Sequence, residues 1–237
     1  MTSEARRPSL AQKVGAEVLG TFFITLVATG VDVLYYTHTG SVDYVSRWLA
    51  RGFITTATIY AFSEISGAHL DPAVSLGFAI RRAMPPTQML LYWAAQFAGA
   101  FGAAFAIFAI WGSAVRLGAS HPGPGFTFVE AAIAELVLTF ILVTVILMTS
   151  QEAAAVGKQS ALAVGLTVAA CGFFAGPVSG ASMNPARSIA PQIVGGAAEL
   201  VWIYAVGPCA GALLAALVTT LFFGRPDEGE RKAAKGA

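Results

Sequence analysis

Two ten-residue segments hold most of the side chains able to act on a solute. Ser66-Gly67-Ala68-His69-Leu70-Asp71-Pro72-Ala73-Val74-Ser75 is matched by Ser179-Gly180-Ala181-Ser182-Met183-Asn184-Pro185-Ala186-Arg187-Ser188, with six of ten positions identical. Asp71 and Asn184 each precede a proline, which places them at the N-cap of a helix starting at Pro72 or Pro185. Their oxygens can satisfy free backbone N–H groups, and the NH2 of Asn184 is then available to donate to a passing solute. Asp71 caps equally well but donates nothing unless protonated. Each helix N-terminus carries roughly half a positive charge. Two such ends meeting disfavour cations, the hydrated proton included. The chemistry on offer is hydrogen-bond exchange with a neutral solute.

The surrounding composition says where this happens. The chain has 237 residues, of which 56% are hydrophobic and 11% charged, and its mean hydropathy is +0.69. A soluble domain is about 25% charged, so this chain cannot build a water-facing surface of the usual kind. That excludes a typical cytosolic enzyme, a nucleic-acid binder and a disordered segment, and leaves a protein whose partner is the lipid bilayer. The net charge of +1 gives no reason to expect a polyanionic partner. Cys171 and Cys209 lie in apolar runs and read as small core residues, not a disulfide framework or a zinc site. There is no metal cluster, no Ser/His/Asp set at workable spacing and no nucleotide loop. Neither an enzyme nor a cofactor is expected.

The elements that must position the two segments follow from apolar run length. A spanning helix needs roughly 20 apolar residues. Six stretches qualify, near 14–36, 49–66, 88–111, 129–149, 160–176 and 199–223. Two shorter apolar pieces, 72–80 and 185–194, begin with proline after a Gly/Ser/Ala-rich turn and read as re-entrant half-helices. The chain repeats itself: Ala16-Glu17 answers Ala134-Glu135, and Ala98-Gly99-Ala100 answers Ala210-Gly211-Ala212, at an offset drifting from 118 to 112. Three spans per half force the second half to lie inverted. Inverted repeats with broken helices put their working site near the bilayer midplane. The expected fold is an all-α membrane protein with six transmembrane helices and two half-helices in a 3+3 inverted repeat. Its parts are an N-terminal segment 1–13, a first repeat 14–111, an extracytoplasmic connection 112–128, a second repeat 129–223 and a tail 224–237. With both termini inside, ten Lys and Arg side chains lie on the inner side against four outside (Arg47, Arg51, Arg116 and Arg187). The tail from 225 onward is polar and reads as loose, and the loop 150–159, with Glu152 and Lys158, offers little for a gate.

The paired boxes, the 3+3 repeat and an Arg three residues after Asn184 resemble the aquaporin and aquaglyceroporin family, the major intrinsic proteins, over about residues 11–223. That resemblance implies a six-helix bundle with two half-helices, a homotetramer, one pore per subunit and a multi-pass cytoplasmic or inner membrane location. It also implies a four-membered constriction. Counting from the boxes, the members are Arg51, Gly172, Ala181 and Arg187. This sequence departs from the pattern in three places: Asp71 replaces Asn, Arg51 replaces an aromatic or small residue, and Gly172 replaces the His of strict water channels. Gly172 and Ala181 leave volume, which Arg51 either refills or leaves open by folding aside toward the headgroups or a subunit surface.

Glu17 and Glu135 occupy equivalent places in spans one and four. An intramembrane carboxylate is functional by default, but the symmetry points to a structural task, accepting hydrogen bonds from the re-entrant loops. His69 reads as a loop residue whose carbonyl, with those of Gly67, Ala68, Leu70, Gly180, Ala181, Ser182 and Met183, lines the pore. Asp32 and Glu64 lie near span ends and are expected to reach the interface. The function expected is passive conduction of water and small uncharged solutes such as glycerol. The alternatives are a strictly water-selective pore, or a channel that leaks protons or cations past Asp71.

Overall fold

Prolines and capping side chains set where most of the helices begin. The structure, a computed structural model, describes residues 8–38, 40–151 and 159–236; most of the N-terminal segment 1–13, and Glu152 and Lys158 of the loop 150–159, lie outside these. Helix α1 (Leu10–Thr37) opens on a capping box between Ser9 and Gln12, and α6 (Phe128–Thr149) on one between Thr127 and Glu130. In both, two orphan N–H groups are satisfied at once. Asp43 caps α2 (Tyr44–Ser66), and α4 (Pro86–Trp111) starts on its proline. The second half continues with α7 (Ser160–Ser179) and α9 (Val201–Phe223). Five described helices are long and apolar enough to cross a membrane. The sixth, α2, has 23 residues but carries Arg47, Arg51 and Glu64.

The half-helices are α3 (Pro72–Ile80) and α8 (Pro185–Val194), each with proline at its first position. Their nineteen residues rise about 29 Å together at 1.5 Å each, close to the roughly 30 Å of a hydrocarbon core. Meeting by their N-termini, the two pieces replace one spanning helix. Between the halves, the connection 112–128 is not all loop: a 3-10 turn (Gly112–Ala114) leads into the single turn α5 (Val115–Gly118).

The burial pattern is inverted relative to a soluble protein. Glu17, Asp32, Arg51, Gln96, Asn184 and Arg187 are buried, while Phe53, Ile110, Phe174 and Leu221 are among the large apolar side chains left exposed. Without lipid such a surface would aggregate. The protein is therefore an integral, multi-pass membrane protein.

Helix α1 packs along α4, and α6 along α9, as symmetry-equivalent pairs. Lipid offers no hydrophobic drive between helices, so close backbone approach must hold them. Gly99 puts its backbone against Val18 and Phe22 of α1, and Gly211 against Leu136 and Phe140 of α6. A Cβ at Gly211 would sit 2.8 Å from the Phe140 nitrogen, a distance no side chain tolerates. Gly211→Val is expected to force the pair apart and lower stability by about 1–3 kcal/mol, read as thermal unfolding in detergent. Gly15→Ala is the control: nothing lies within 4 Å of its added carbon, so its unfolding should match the parent.

Candidate functional site

Non-helical backbone at membrane depth has no water to satisfy it, so its polar groups need protein partners. Glu17 provides them for the loop after α2. Its Oε1 accepts from Ser66 Oγ at 2.6 Å and from the His69 amide at 3.0 Å. Its Oε2 accepts from the Leu70 amide and from Gln96 Nε2, both at 2.7 Å. Glu135 does the same after α7, accepting from Ser179 Oγ at 2.7 Å and from the amides of Ser182 and Met183 at 2.9 and 2.7 Å. Tyr92 donates to the Ser66 carbonyl at 2.8 Å and Tyr204 to that of Ser179 at 2.6 Å. Sequence inspection singled out the two glutamates and missed the two tyrosines. The signal was there: Tyr92 and Tyr204 differ by the same 112 residues as Gly99 and Gly211.

The loops themselves are strained in the same way. Gly67 and Gly180 end α2 and α7 at φ 88° and 79°. Ala68 and Leu70, and their counterparts Ala181 and Met183, follow at φ between 40° and 57°. Each non-glycine residue so placed costs of order 1–3 kcal/mol. The glutamates hold this geometry by fixing the amides of residues 69, 70, 182 and 183.

The two boxes converge. Asp71 Oδ1 accepts from the Ala73 amide at 2.7 Å, and Asn184 Oδ1 from that of Arg187 at 3.1 Å. Both are N-caps, as the sequence implied. The NH2 of Asn184 is not wholly free for a solute, because Nδ2 donates across the repeat interface to the Leu70 carbonyl at 2.9 Å. Pro72, Ala73, Pro185 and Ala186, which follow the caps, are buried.

A cavity of about 160 Å³ runs past both boxes. On that measure one water needs roughly 10–15 Å³, so the space is large enough for several waters. Gly67, Ala68, His69, Leu70, Asp71, Ala181, Ser182, Asn184, Arg51 and Arg187 line it, together with Ile24, Ile59, Leu142, Ile146, Val164 and Val168. Three expected members, Gly172, Met183 and Gly180, are absent from this wall. Met183 is buried in a core cluster with Trp48 and Leu138, and Gly180 faces a second cavity of about 220 Å³ with Tyr35, Tyr36, Tyr44 and Arg47.

Between the cavities lies an ionic cluster that sequence reasoning did not find. Asp32, expected at the interface, is buried. Its Oδ1 accepts from Arg47 Nε at 2.7 Å, and its Oδ2 from Arg51 Nη2 and, at 3.1 Å, from Arg187 Nη2. Three guanidiniums share one carboxylate, leaving a net charge of two positive. Arg51 also donates to the Gly180 carbonyl at 3.0 Å and lies 4.2 Å above the Trp48 ring. Arg187 Nη1 donates to Ser120 Oγ. Arg51 thus does not fold aside: it is buried and lines the cavity. Gly172 does not leave open volume either. A Cβ there would run into the Trp48 indole, so the ring already fills that space and Gly172 stays off the wall. The clue in the sequence was four arginines expected on one side of the membrane without an assigned counter-charge, three of which meet at Asp32. Among the described residues, no group of three or more His, Cys, Asp or Glu side chains is placed to hold a metal ion.

Residues 4–219 match the major intrinsic protein family. Aquaporin NIP2-2 of Zea mays is 41% identical over 214 residues, covering 90% of this chain and 72% of that protein. Aquaporin NIP1-1 of Oryza sativa subsp. japonica is 37% identical over 207 residues, covering 86% and 72%. In fold, the aquaglyceroporin from Plasmodium falciparum superposes with a TM-score of 0.81 at 24% identity, over 88% of this chain and 95% of that one. Six long helices, two half-helices meeting at capped N-termini and the match across nearly the whole length agree: the chain belongs to the major intrinsic protein family, a family of membrane channels.

Proposed function

We propose that the protein is a passive channel for water and small uncharged solutes such as glycerol, and that it performs no covalent chemistry. The observation that carries this is the cavity threading both half-helix N-termini, with hydrogen-bonding backbone and an apolar wall along it and the positive Asp32 cluster at one end. A neutral solute exchanges water's hydrogen bonds for those of carbonyls and of Asn184 and Arg187. A cation meets two helix N-termini and a net positive constriction in a low-dielectric surround, where charge repulsion is weakly screened. Arg51, Ala181 and Arg187 form the selective constriction on this reading. The relatives named aquaporins support the same class. We place both termini on the cytoplasmic side of a cytoplasmic or inner membrane, on the balance of Lys and Arg, and propose the homotetramer on the family resemblance.

One observation favours a narrower alternative. Trp48 fills the space beside Gly172 and Arg51 occupies the wall, both of which reduce width and suit a water-only pore. Stopped-flow light scattering on proteoliposomes decides between them. Faster shrinkage than protein-free liposomes in sucrose, followed by reswelling in glycerol, is the expected result. Shrinkage without reswelling would assign a water channel, and Arg51→Ala should then admit glycerol.

Asp71 has a capping hydrogen bond to Ala73 and is proposed to act as a cap only. Asp71→Asn is therefore expected to leave proton conductance unchanged, measured with a pH dye inside the liposomes; a fall in conductance would assign a leak to the carboxylate. At the constriction, Asp32→Ala strands three guanidiniums, and removing one partner of a buried ion pair costs roughly 3–5 kcal/mol. A large fall in thermal stability is expected, with Asp32→Asn milder because it still accepts hydrogen bonds.

A further inference from the structure

The end of the cavity away from the arginines is covered by the chain's own tail. The sequence suggests that residues beyond 225 are loose, yet they turn back onto the bundle. Asp227 caps a short helix, α10 (Glu228–Ala233), accepting from the Glu230 amide at 2.8 Å. Glu230 is fully buried. Its Oε1 accepts from Arg81 Nε at 2.8 Å, and its Oε2 from Arg81 Nη2 at 2.6 Å and Gln151 Nε2 at 2.7 Å. Arg81 directly follows half-helix α3 and donates its remaining Nη1 to Thr220 Oγ1 at 2.9 Å and to the Gly224 carbonyl. Both members of the pair are thus satisfied on several sides, the condition under which a buried ion pair is tolerated.

Beyond the pair, the backbone runs across the cavity. Ala233 is one of its lining residues, and its carbonyl lies against Gly67, where a Cβ would collide with it. Ala234 is fully buried in a cluster with Ala73, Val74 and Phe78 of α3. Gly236 lies against the Ile65 carbonyl of α2, with no room for a Cβ, and Lys13 Nζ donates to the Lys235 carbonyl. One segment therefore touches α1, α2 and α3 at the place where a solute would enter or leave.

Resting on the channel reading above, we infer that residues 226–236 are a built-in plug that closes the pore at the end beside the chain termini, with Arg81–Glu230 as its latch. The plug is a two-state element. A six-residue helix is far below the length that holds in water by itself, so α10 depends on its docked contacts. With the latch broken only the contacts of residues 233–236 hold it down, and the open form gains population. The full chain conducts through its unlatched fraction.

The test compares proteoliposomes at equal protein density, carrying the full chain, a chain ending at Arg225, Glu230→Ala, and the exchange Arg81→Glu with Glu230→Arg. Gly236→Leu is added because it unseats the tail at Ile65 without exposing Arg81. Osmotic shrinkage is expected to rise roughly tenfold on truncation, the factor for a closing equilibrium that favours the plugged form by one decade. Glu230→Ala and Gly236→Leu should rise part of the way, and the charge exchange should return toward the full-chain rate. Equal rates for the full chain, the truncated chain and Gly236→Leu, all above protein-free liposomes, would overturn the plug and leave the channel standing. Rates at the protein-free level for every variant would overturn both.

Discussion

The whole arrangement depends on how two stretches of non-helical backbone survive where there is no water. An unsatisfied amide in an apolar medium costs several kcal/mol, and residues 67–71 and 180–184 present several at once. Two carboxylates answer that demand, Glu17 with four donors and Glu135 with three. Each is held on a helix that opens with a capping box and packs along a glycine-bearing partner. The glycines therefore do more than join helices. By letting α1 lie close to α4, and α6 to α9, they bring the carboxylates to the depth of the loops. The half-helices follow from the loops, and the caps Asp71 and Asn184 from the half-helices.

At the arginine end a second constraint operates. Three guanidiniums cannot be buried beside one another without an anion, and Asp32 is that anion. It also draws the arginines toward one point on the wall. Trp48 takes the room made by Gly172 and Gly176 and offers its face to Arg47 and Arg51, at 4.7 and 4.2 Å. On the proposed reading the passage narrows at Arg51, Ala181 and Arg187, with Asp32 and Trp48 holding the arginines in place from behind; of the members that counting from the boxes suggests, Gly172 gives up its room to the indole.

The sequence makes the architecture legible because the period and the duplication are strong signals there. The half-helix bounds 72–80 and 185–194 coincide with the structure, since proline and a Gly/Ser/Ala turn mark such starts with little ambiguity. Glu17 and Glu135 are legible for the same reason: a charge inside an apolar run, repeated, demands a task. Asp32 is not, because position 32 has no counterpart in the second half, and a carboxylate near a span end is equally consistent with an interface. Trp48 escapes notice because a tryptophan near a membrane surface needs no special explanation. The tail escapes for a different reason. Residues 225–236 are polar, and only the distant Arg81 and Gln151 reveal that Glu230 has somewhere dry to go.

The left-handed residues of the two loops have a kinetic consequence. Ala68, Leu70, Ala181 and Met183 are held at positive φ by buried carboxylates that cannot rotate away. At Ala68, Leu70 and Ala181 the lining is therefore main chain locked at its dihedrals, with no polar rotamers left to freeze when a guest arrives. A molecule moving along such a wall trades one fixed partner for the next, and neither step waits for the host to rearrange. The unevenness of its path is then set largely by its own dehydration, with the ordering entropy already lost when the chain folded.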